Sequence, residues 1–206
     1  PILIEAGVNP QAIGAITFTN KAAQEMAERL GRISKLPEGQ RPLVSTFHSL
    51  GVRMLRRDGQ SLGLKRSFSI VDGDDATNIL QQALGTTDRK VARAAQQRIS
   101  LWKNALVDPE RAAADAKDGL EHGIARAYRD YAATLSAYQS VDFDDLIRLP
   151  VQLLSEHAGV AQAWREKLRY LLVDEYQDTN ACQYELLKLL VGPRAAFTAV
   201  GDDDQS

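Results

Sequence analysis

The stretch "YLLVDEYQDTN", residues 170–180, runs three apolar residues into the carboxylates Asp174 and Glu175, with Asp178 close behind. Ionised carboxylates that close a buried apolar run need compensation, from a metal ion, from backbone donors or from solvent at a strand end. A second run, "AAFTAVGDDDQS", also ends in acids, with Asp202 and Gln205 among its closing residues. Polar groups close two further apolar runs: Thr17, Thr19 and Asn20 in one, Ser45, Thr46 and His48 in the other. Ligands of open α/β sheets collect outside the carboxyl ends of the strands, so four such ends make one polar floor. Acids in this setting suit Mg²⁺, which takes carboxylate oxygens and keeps several waters. An adjacent carboxylate pointing another way can take a proton from an attacking water. For Asp178, simple solvation or capping of the next helix is the competing reading.

The elements that must position these groups follow from apolar spacing. "AIGAITFT" (12–19) and "LVSTF" (43–47) read as strands, "LRYLLVD" as a buried strand and "AAFTAVGDDDQ" as another. Thr19 or Asn20 caps a helix with Ala22, Met26 and Leu30 on one face, and Gly31 is its expected stop. A helix follows His48, and "QYELLKLLVG" is an amphipathic helix. "VDFDDLIRLPVQLL" starts a helix with Asp142 and Asp145 at capping-box spacing, and Pro150 is expected to kink or break it. Apolar strands alternating with helices imply a parallel α/β sheet covered on both faces. Residues 54–142 are dominated by helical patterns, with loop signals at Gly59, Gly63, Gly85, Pro109 and Gly119, and interrupt that alternation, as an insertion does.

Bulk properties narrow the class. At 206 residues, 44% hydrophobic and 25% charged, the chain can bury a real core and does not have the composition of a disordered segment. A formal net charge of −2 announces no nucleic-acid or membrane partner. Locally, Arg89, Lys90, Arg93, Arg98 and Lys103 form a basic stripe without intervening acids, which is either a solvated helix face or a phosphate track. One cysteine, Cys182, excludes an internal disulfide and suits a reducing compartment. No apolar run approaches membrane-spanning length and no signal peptide opens the chain, so the expected location is cytoplasmic, without a membrane partner. "PILIEAG" reads as the tail of a helix already under way, which suggests a piece of something longer.

"AITFTNKAAQEM", "VSTFHSLG", "VDFDDL", "YLLVDEYQDTNACQYELL" and "AVGDDDQS" resemble, in that order, the superfamily 1 DNA helicases of the Rep/UvrD/PcrA type, and "SLWKNAL" is most similar to the Rep branch. The resemblance implies a partial RecA-like ATPase domain from residues 1–53 and 143–206, carrying a helical insertion subdomain at 54–142. It implies ATP as substrate with Mg²⁺, single-stranded and duplex DNA as partners, and a second RecA-like domain of the same polypeptide. The implied activity is 3′→5′ translocation along single strands with unwinding of duplex. Asp174 would hold Mg²⁺, Glu175 would activate the hydrolytic water and Gln205 would sense the γ-phosphate. Gln177 and Asp202 would couple nucleotide state to motion. Thr19, Asn20, Lys21, Phe47, His48 and Ser49 would line the single-strand path, Phe47 as a ring able to stack on any base. The insertion would help grip DNA, which favours the phosphate-track reading of the basic stripe.

The sequence departs from that family in one respect: it holds no G-x-x-x-x-G-K-[ST] loop to cradle phosphates. Two other classes remain open at this level, a non-catalytic nucleic-acid-binding module and a metal-dependent nuclease built on the acids of "DFDD", "DE" and "GDDD". The 206-residue chain alone is therefore expected not to hydrolyse ATP. DNA-stimulated, Mg²⁺-dependent turnover by the purified chain would overturn this.

Overall fold

The structure is a computed structural model and describes residues 2–34, 36–193 and 196–201. In chain order its first elements are α1 (Ile2–Glu5), β1 (Ile13–Thr17), α2 (Asn20–Ser34), β2 (Leu43–Thr46), α3 (Phe47–Asp58), β3 (Ser69–Ile70), α4 (Gly73–Leu84) and α5 (Arg89–Asn104). There follow α6 (Pro109–Asp115), α7 (Gly119–Ala137), β4 (Ser140–Val141), α8 (Asp145–Glu156), α9 (Ala158–Lys167), β5 (Tyr170–Val173), α10 (Ala181–Val191) and β6 (Ala196–Ala199). Two compact units result, one of residues 1–53, 151–179 and 183–206, the other of 54–150 and 180–182.

The first unit is built on a four-stranded sheet in the order β2-β1-β5-β6, with every neighbouring pair parallel. All five residues of β1 are buried, as a strand with a neighbour on each edge and cover on each face requires. Ile16 lies opposite Ser45 on one side and Val173 on the other. The fold is thus the mixed α/β parallel sheet that the apolar runs predicted. Trp164, Leu168, Leu171, Leu186 and Leu190, from α9, β5 and α10, are fully buried in the same unit. Burying each of these leucines stabilises the fold by about 1.5–3 kcal/mol.

Two expected punctuation marks act differently. Helix α2 runs through Gly31 to Ser34. A Cβ at Gly31 would sit 2.9 Å from a guanidinium nitrogen of Arg41, whose Nε donates to the Leu36 carbonyl at 2.9 Å. This glycine makes room for an arginine and does not end a helix. Pro150 lies inside α8, which continues to Glu156, and the division between the two units falls just after it. The missing N–H removes one ladder bond without ending the helix.

The second unit is helical. Asp72, Asp88, Asp108 and Asp118 cap α4, α5, α6 and α7, each side chain accepting a backbone N–H of the first turn. Each cap is worth about 1 kcal/mol. Their apolar faces meet around Leu80, Ile99, Trp102, Tyr128, Tyr131 and Leu135, with Trp102 stacked on Tyr128 at 6.0 Å between ring centres. Strands β3 and β4 pair in parallel beside them.

This core holds ions. Lys103, 1% exposed, places Nζ 2.6 Å from Asp142 Oδ2 and 3.0 Å from Asp145 Oδ2. Arg148 Nε donates to Asp145 Oδ1 at 2.9 Å, and Tyr131 Oη donates to Asp142 Oδ2, also at 2.9 Å. Two cations thus face two carboxylates. Asp142 Oδ1 accepts the Asp145 amide at 2.9 Å, the capping half of the expected box, while the Asp145 side chain turns to Lys103 and Arg148. Burial pushes the Asp145 carboxyl up, but Lys103 and Arg148 outweigh it and hold it at about 2. Burial and the neighbouring Asp145 raise the Asp142 carboxyl against the pull of Lys103.

Ion pairs also run through the basic stripe. Arg89 pairs with Asp74 at 2.7 Å, Arg93 approaches the same carboxylate at 3.7 Å and Arg98 pairs with Glu121 at 2.6 Å. Lys103 is buried away from that face, while Arg89, Arg93 and Arg98 pair with acids of their own unit and stay 41–60% exposed. Lys103→Met should destabilise the protein by about 3–5 kcal/mol, because it strands buried carboxylates. Urea unfolding measures this, and a loss below about 1 kcal/mol would show that the network carries little stability.

Candidate functional site

Parallel pairing brings the carboxyl ends of β2, β1, β5 and β6 to one edge of the sheet. Thr17 and Thr46, opposite one another in register, are both buried. Thr17 Oγ1 donates to the Thr19 carbonyl at 3.1 Å. Thr19 Oγ1 accepts the Ala22 amide at 3.1 Å, which caps α2. Thr46 Oγ1 accepts the Ser49 amide at 3.2 Å and donates to Ser49 Oγ at 3.0 Å, which caps α3. Two helices therefore begin at this edge, each presenting the partly positive end of its dipole.

Thr19, Asn20, Lys21 and Ser49 are exposed on those first turns, and His48 is half-buried. Phe47 stands apart. Its side chain is 1% exposed and packs on Phe18, with ring centres 5.2 Å apart and planes at 56°. A base cannot reach its face, so the expectation that Phe47 stacks on DNA is corrected: it is a core residue. Phe18, which the sequence reading passed over, is the half-buried member of the pair. Its position between Thr17 and Thr19, at the polar end of an apolar run, was the available signal.

Strand β5 delivers the acids. The Asp174 amide continues the ladder to the Ile16 carbonyl at 3.1 Å, and Val200 N donates to the Val173 carbonyl at 2.9 Å. Asp174 is half-buried and Glu175 exposed. Glu175 adopts φ 53°, ψ 43°, the left-handed region that glycine favours. Tyr176 N then bonds to the Val200 carbonyl at 3.1 Å, and the Tyr176 ring meets Phe197 edge-on at 5.8 Å. A short 3-10 turn, Tyr176–Asp178, carries Gln177 and the exposed Asp178. A Cβ at Gly201 would lie 2.5 Å from Gln177 Oε1, so the end of β6 stays bare where this side chain crosses it. Asp202 and Gln205, also expected in the site, lie outside the described residues.

The donor set fits a water-rich divalent cation. Asp174 Oδ1 takes the Glu175 amide at 3.1 Å, which orients the carboxylate. Among the described residues no three His, Cys, Asp or Glu side chains converge on a metal cage. One or two carboxylates completed by phosphate and water oxygens is the usual Mg²⁺ arrangement. The nuclease alternative loses its "DFDD" acids, since Asp142 and Asp145 are committed to Lys103. A cavity of about 680 Å³ in the same unit is lined by Asn9, Gln11, Leu43 and Arg41 among others. Asn9 and Gln11 precede β1 and Leu43 opens β2, so this cavity sits at the amino ends of those strands, away from the acids.

Comparison with known proteins gives the class of this parallel α/β domain. The family profile "UvrD/REP helicase N-terminal domain" matches residues 2–206, and the chain belongs to that family. It is 47% identical over 203 residues to the ATP-dependent DNA helicase Rep of Salmonella typhimurium, covering 97% of this chain and 30% of that protein. The Rep protein of Escherichia coli K12 gives the same identity and coverage. The ATP-dependent DNA helicase PcrA of Leuconostoc citreum is 39% identical over 206 residues, covering 98% of this chain and 28% of that protein. The chain spans about 30% of the length of the two Rep proteins. No helix among the described residues is long and apolar enough to cross a membrane.

The backbone at Glu175 gives a direct test of strain. Glu175→Gly should be more stable than Glu175→Ala by about 1 kcal/mol, since only glycine takes this conformation without a Cβ penalty. Equal melting temperatures for the two variants would show that the turn is relaxed.

Proposed function

We propose that this chain supplies the hydrolytic strand ends of an ATP-dependent DNA helicase that moves 3′→5′ along single-stranded DNA and unwinds duplex. The observation that carries this reading is the Asp174–Glu175 pair at the end of β5, with a half-buried and an exposed carboxylate side by side. The helicase names of the relatives support it, and the polarity rests on family resemblance. A second RecA-like domain of the same polypeptide would complete the site, and the cytoplasm is where such a protein would work.

In this reading Asp174 holds Mg²⁺ with ATP. The ion, when bound, neutralises charge that develops on the phosphates. Glu175 is free to orient a water and take its proton, because it is exposed and its backbone turns it away from the β-strand direction. Gln177, whose side chain lies over Gly201, would relay the nucleotide state, with Asp202 and Gln205 as its proposed companions from the resemblance. Catalysis of this kind is mostly positioning and electrostatics.

On the DNA side, Thr19, Asn20, Lys21, His48 and Ser49 would meet the single-strand backbone from the first turns of α2 and α3, where amides and helix dipoles favour phosphate. Lys21 has no acidic partner among the described residues, which leaves its charge available. Phe18 would offer what aromatic surface this edge has. The helical unit, residues 54–142 in the family-based division, would serve as the insertion subdomain.

The two acids should separate in the intact protein. Glu175→Gln should lower turnover by about 10²–10⁴, the usual contribution of a general base, with nucleotide and DNA affinity nearly intact. Asp174→Asn should weaken Mg²⁺–ATP handling as well as turnover. Steady-state ATPase beside nucleotide affinity decides. Parental turnover in Glu175→Gln would end the general-base assignment.

A further inference from the structure

The turn that follows Glu175 lies wholly within the sheet unit and is closed by its own hydrogen bonds. Asp178 N donates to the Glu175 carbonyl at 3.0 Å. Thr179 donates twice to the Tyr176 carbonyl, from its amide at 3.2 Å and from Oγ1 at 2.9 Å. Residues 175–179 therefore form one piece, and the direction of Glu175 depends on how that piece is fastened to the sheet. Tyr176 fastens it in two ways. Its amide donates to the Val200 carbonyl at 3.1 Å, and its half-buried ring meets Phe197 edge-on, with centres 5.8 Å apart and planes at 66°. One hydrogen bond leaves the piece free to pivot about it. The ring contact removes that freedom.

Strand β6 is shaped to receive the turn. Phe197 pairs with Leu171 and Ala199 with Val173, so by alternation Phe197 and Ala199 project from the same face. Side chains shrink toward the strand end, from a ring at 197 to a methyl at 199 and to none at Gly201, where Gln177 crosses. Phe197 is no core ring, because 38% of its surface is exposed. Its aromatic partner is Tyr176, the residue next to the proposed base.

We infer that Tyr176 and Phe197 are positioning residues for hydrolysis: their edge-to-face contact holds the 175–179 turn against β6 and so aims the Glu175 carboxylate. Glu175, at φ 53°, keeps its left-handed backbone only while its surroundings hold it there. Without the ring contact the turn pivots on the Tyr176 amide, and the carboxylate spends less of its time where it can take a proton from water. Both rings act through Glu175. This inference rests on the ATPase reading above.

The test uses the intact protein, with steady-state ATPase at saturating oligo(dT), ATP KM and melting temperature measured together. Tyr176→Ala and Phe197→Ala should each lower kcat about 3–10-fold, the factor that one aromatic pair contributes to a conformational equilibrium. ATP KM should stay within about twofold, which places the loss in the chemical step. The double variant should be no worse than the worse single, because both remove one contact. Tyr176→Phe, which keeps the ring, should restore kcat to within about twofold of the parent. The sharpest readout uses Glu175→Gln as background. There Tyr176→Ala should change the residual rate by less than about twofold, since no base remains to aim, whereas a merely structural role would lower that rate as well. Phe197→Ala, at a partly exposed position, answers the same question if Tyr176→Ala does not fold. Parental kcat in the alanine variants, losses that multiply in the double, a Tyr176→Phe enzyme as slow as Tyr176→Ala, or an undiminished loss in the Glu175→Gln background would each overturn the inference. If Glu175→Gln is crippled while the ring variants turn over at the parental rate, only the positioning role falls. If Glu175→Gln itself turns over at the parental rate, the ATPase reading falls and takes the positioning role with it.

Discussion

Strand β1 is buried along its whole length and pairs in parallel with β2 on one side and β5 on the other. A strand so placed has no water to satisfy its peptide groups, so its two neighbours must supply the partners in a single register. Register then fixes which residues emerge together. With Gly14 beside Leu43 and Leu171, the first polar residues beyond each strand arrive at the same edge. Thr17 lies beside Thr46, and Asp174 takes the next bond along, to Ile16. A slip of one residue would turn every β1 side chain to the opposite face and misplace the acids with it. The chemistry of this domain is held in place by the ladder of its most buried strand.

That ladder also explains how a glutamate stays in a left-handed conformation. Such a residue costs on the order of 1–3 kcal/mol and persists only where its surroundings over-determine it. Here the bond from Asp174 N precedes Glu175 and the bond from Tyr176 N follows it, both to strands of the sheet. The chain has to leave the strand direction within one residue between two fixed points. The consequence is chemical: successive side chains of an extended strand alternate faces, but after this turn Asp174 stays tied to its neighbour's amide while Glu175 projects into solvent.

The sheet, its direction and its acidic edge were legible in the sequence because they depend on local pattern. Apolar β-branched runs closed by Thr17, Thr46 or Asp174 announce buried parallel strands wherever they occur. What was not legible depends on partners far along the chain. Gly31 looked like a helix stop because Arg41 was not known to lie against it. Phe47 looked like a free ring, although the helix that starts at Phe47 turns it inward onto Phe18. The ion pairs of the basic stripe were hidden because Asp74 and Glu121, its counter-charges, sit on other helices. Lys103 and Asp142 are 39 residues apart, and no local period reveals that they meet.

A buried ion network is a weak source of net stability, since desolvation offsets much of the attraction. Its value lies in discrimination. An apolar core around Trp102, Tyr128 and Leu80 tolerates small shifts of one helix along another, because leucine and alanine contacts are broadly interchangeable. Lys103 does not tolerate them. Displacing α5 from the start of α8 by one turn would leave two carboxylates and an ammonium buried without partners. Inside the helical unit, the register of α5 against the start of α8 is therefore pinned where "WKN" meets "DFDD".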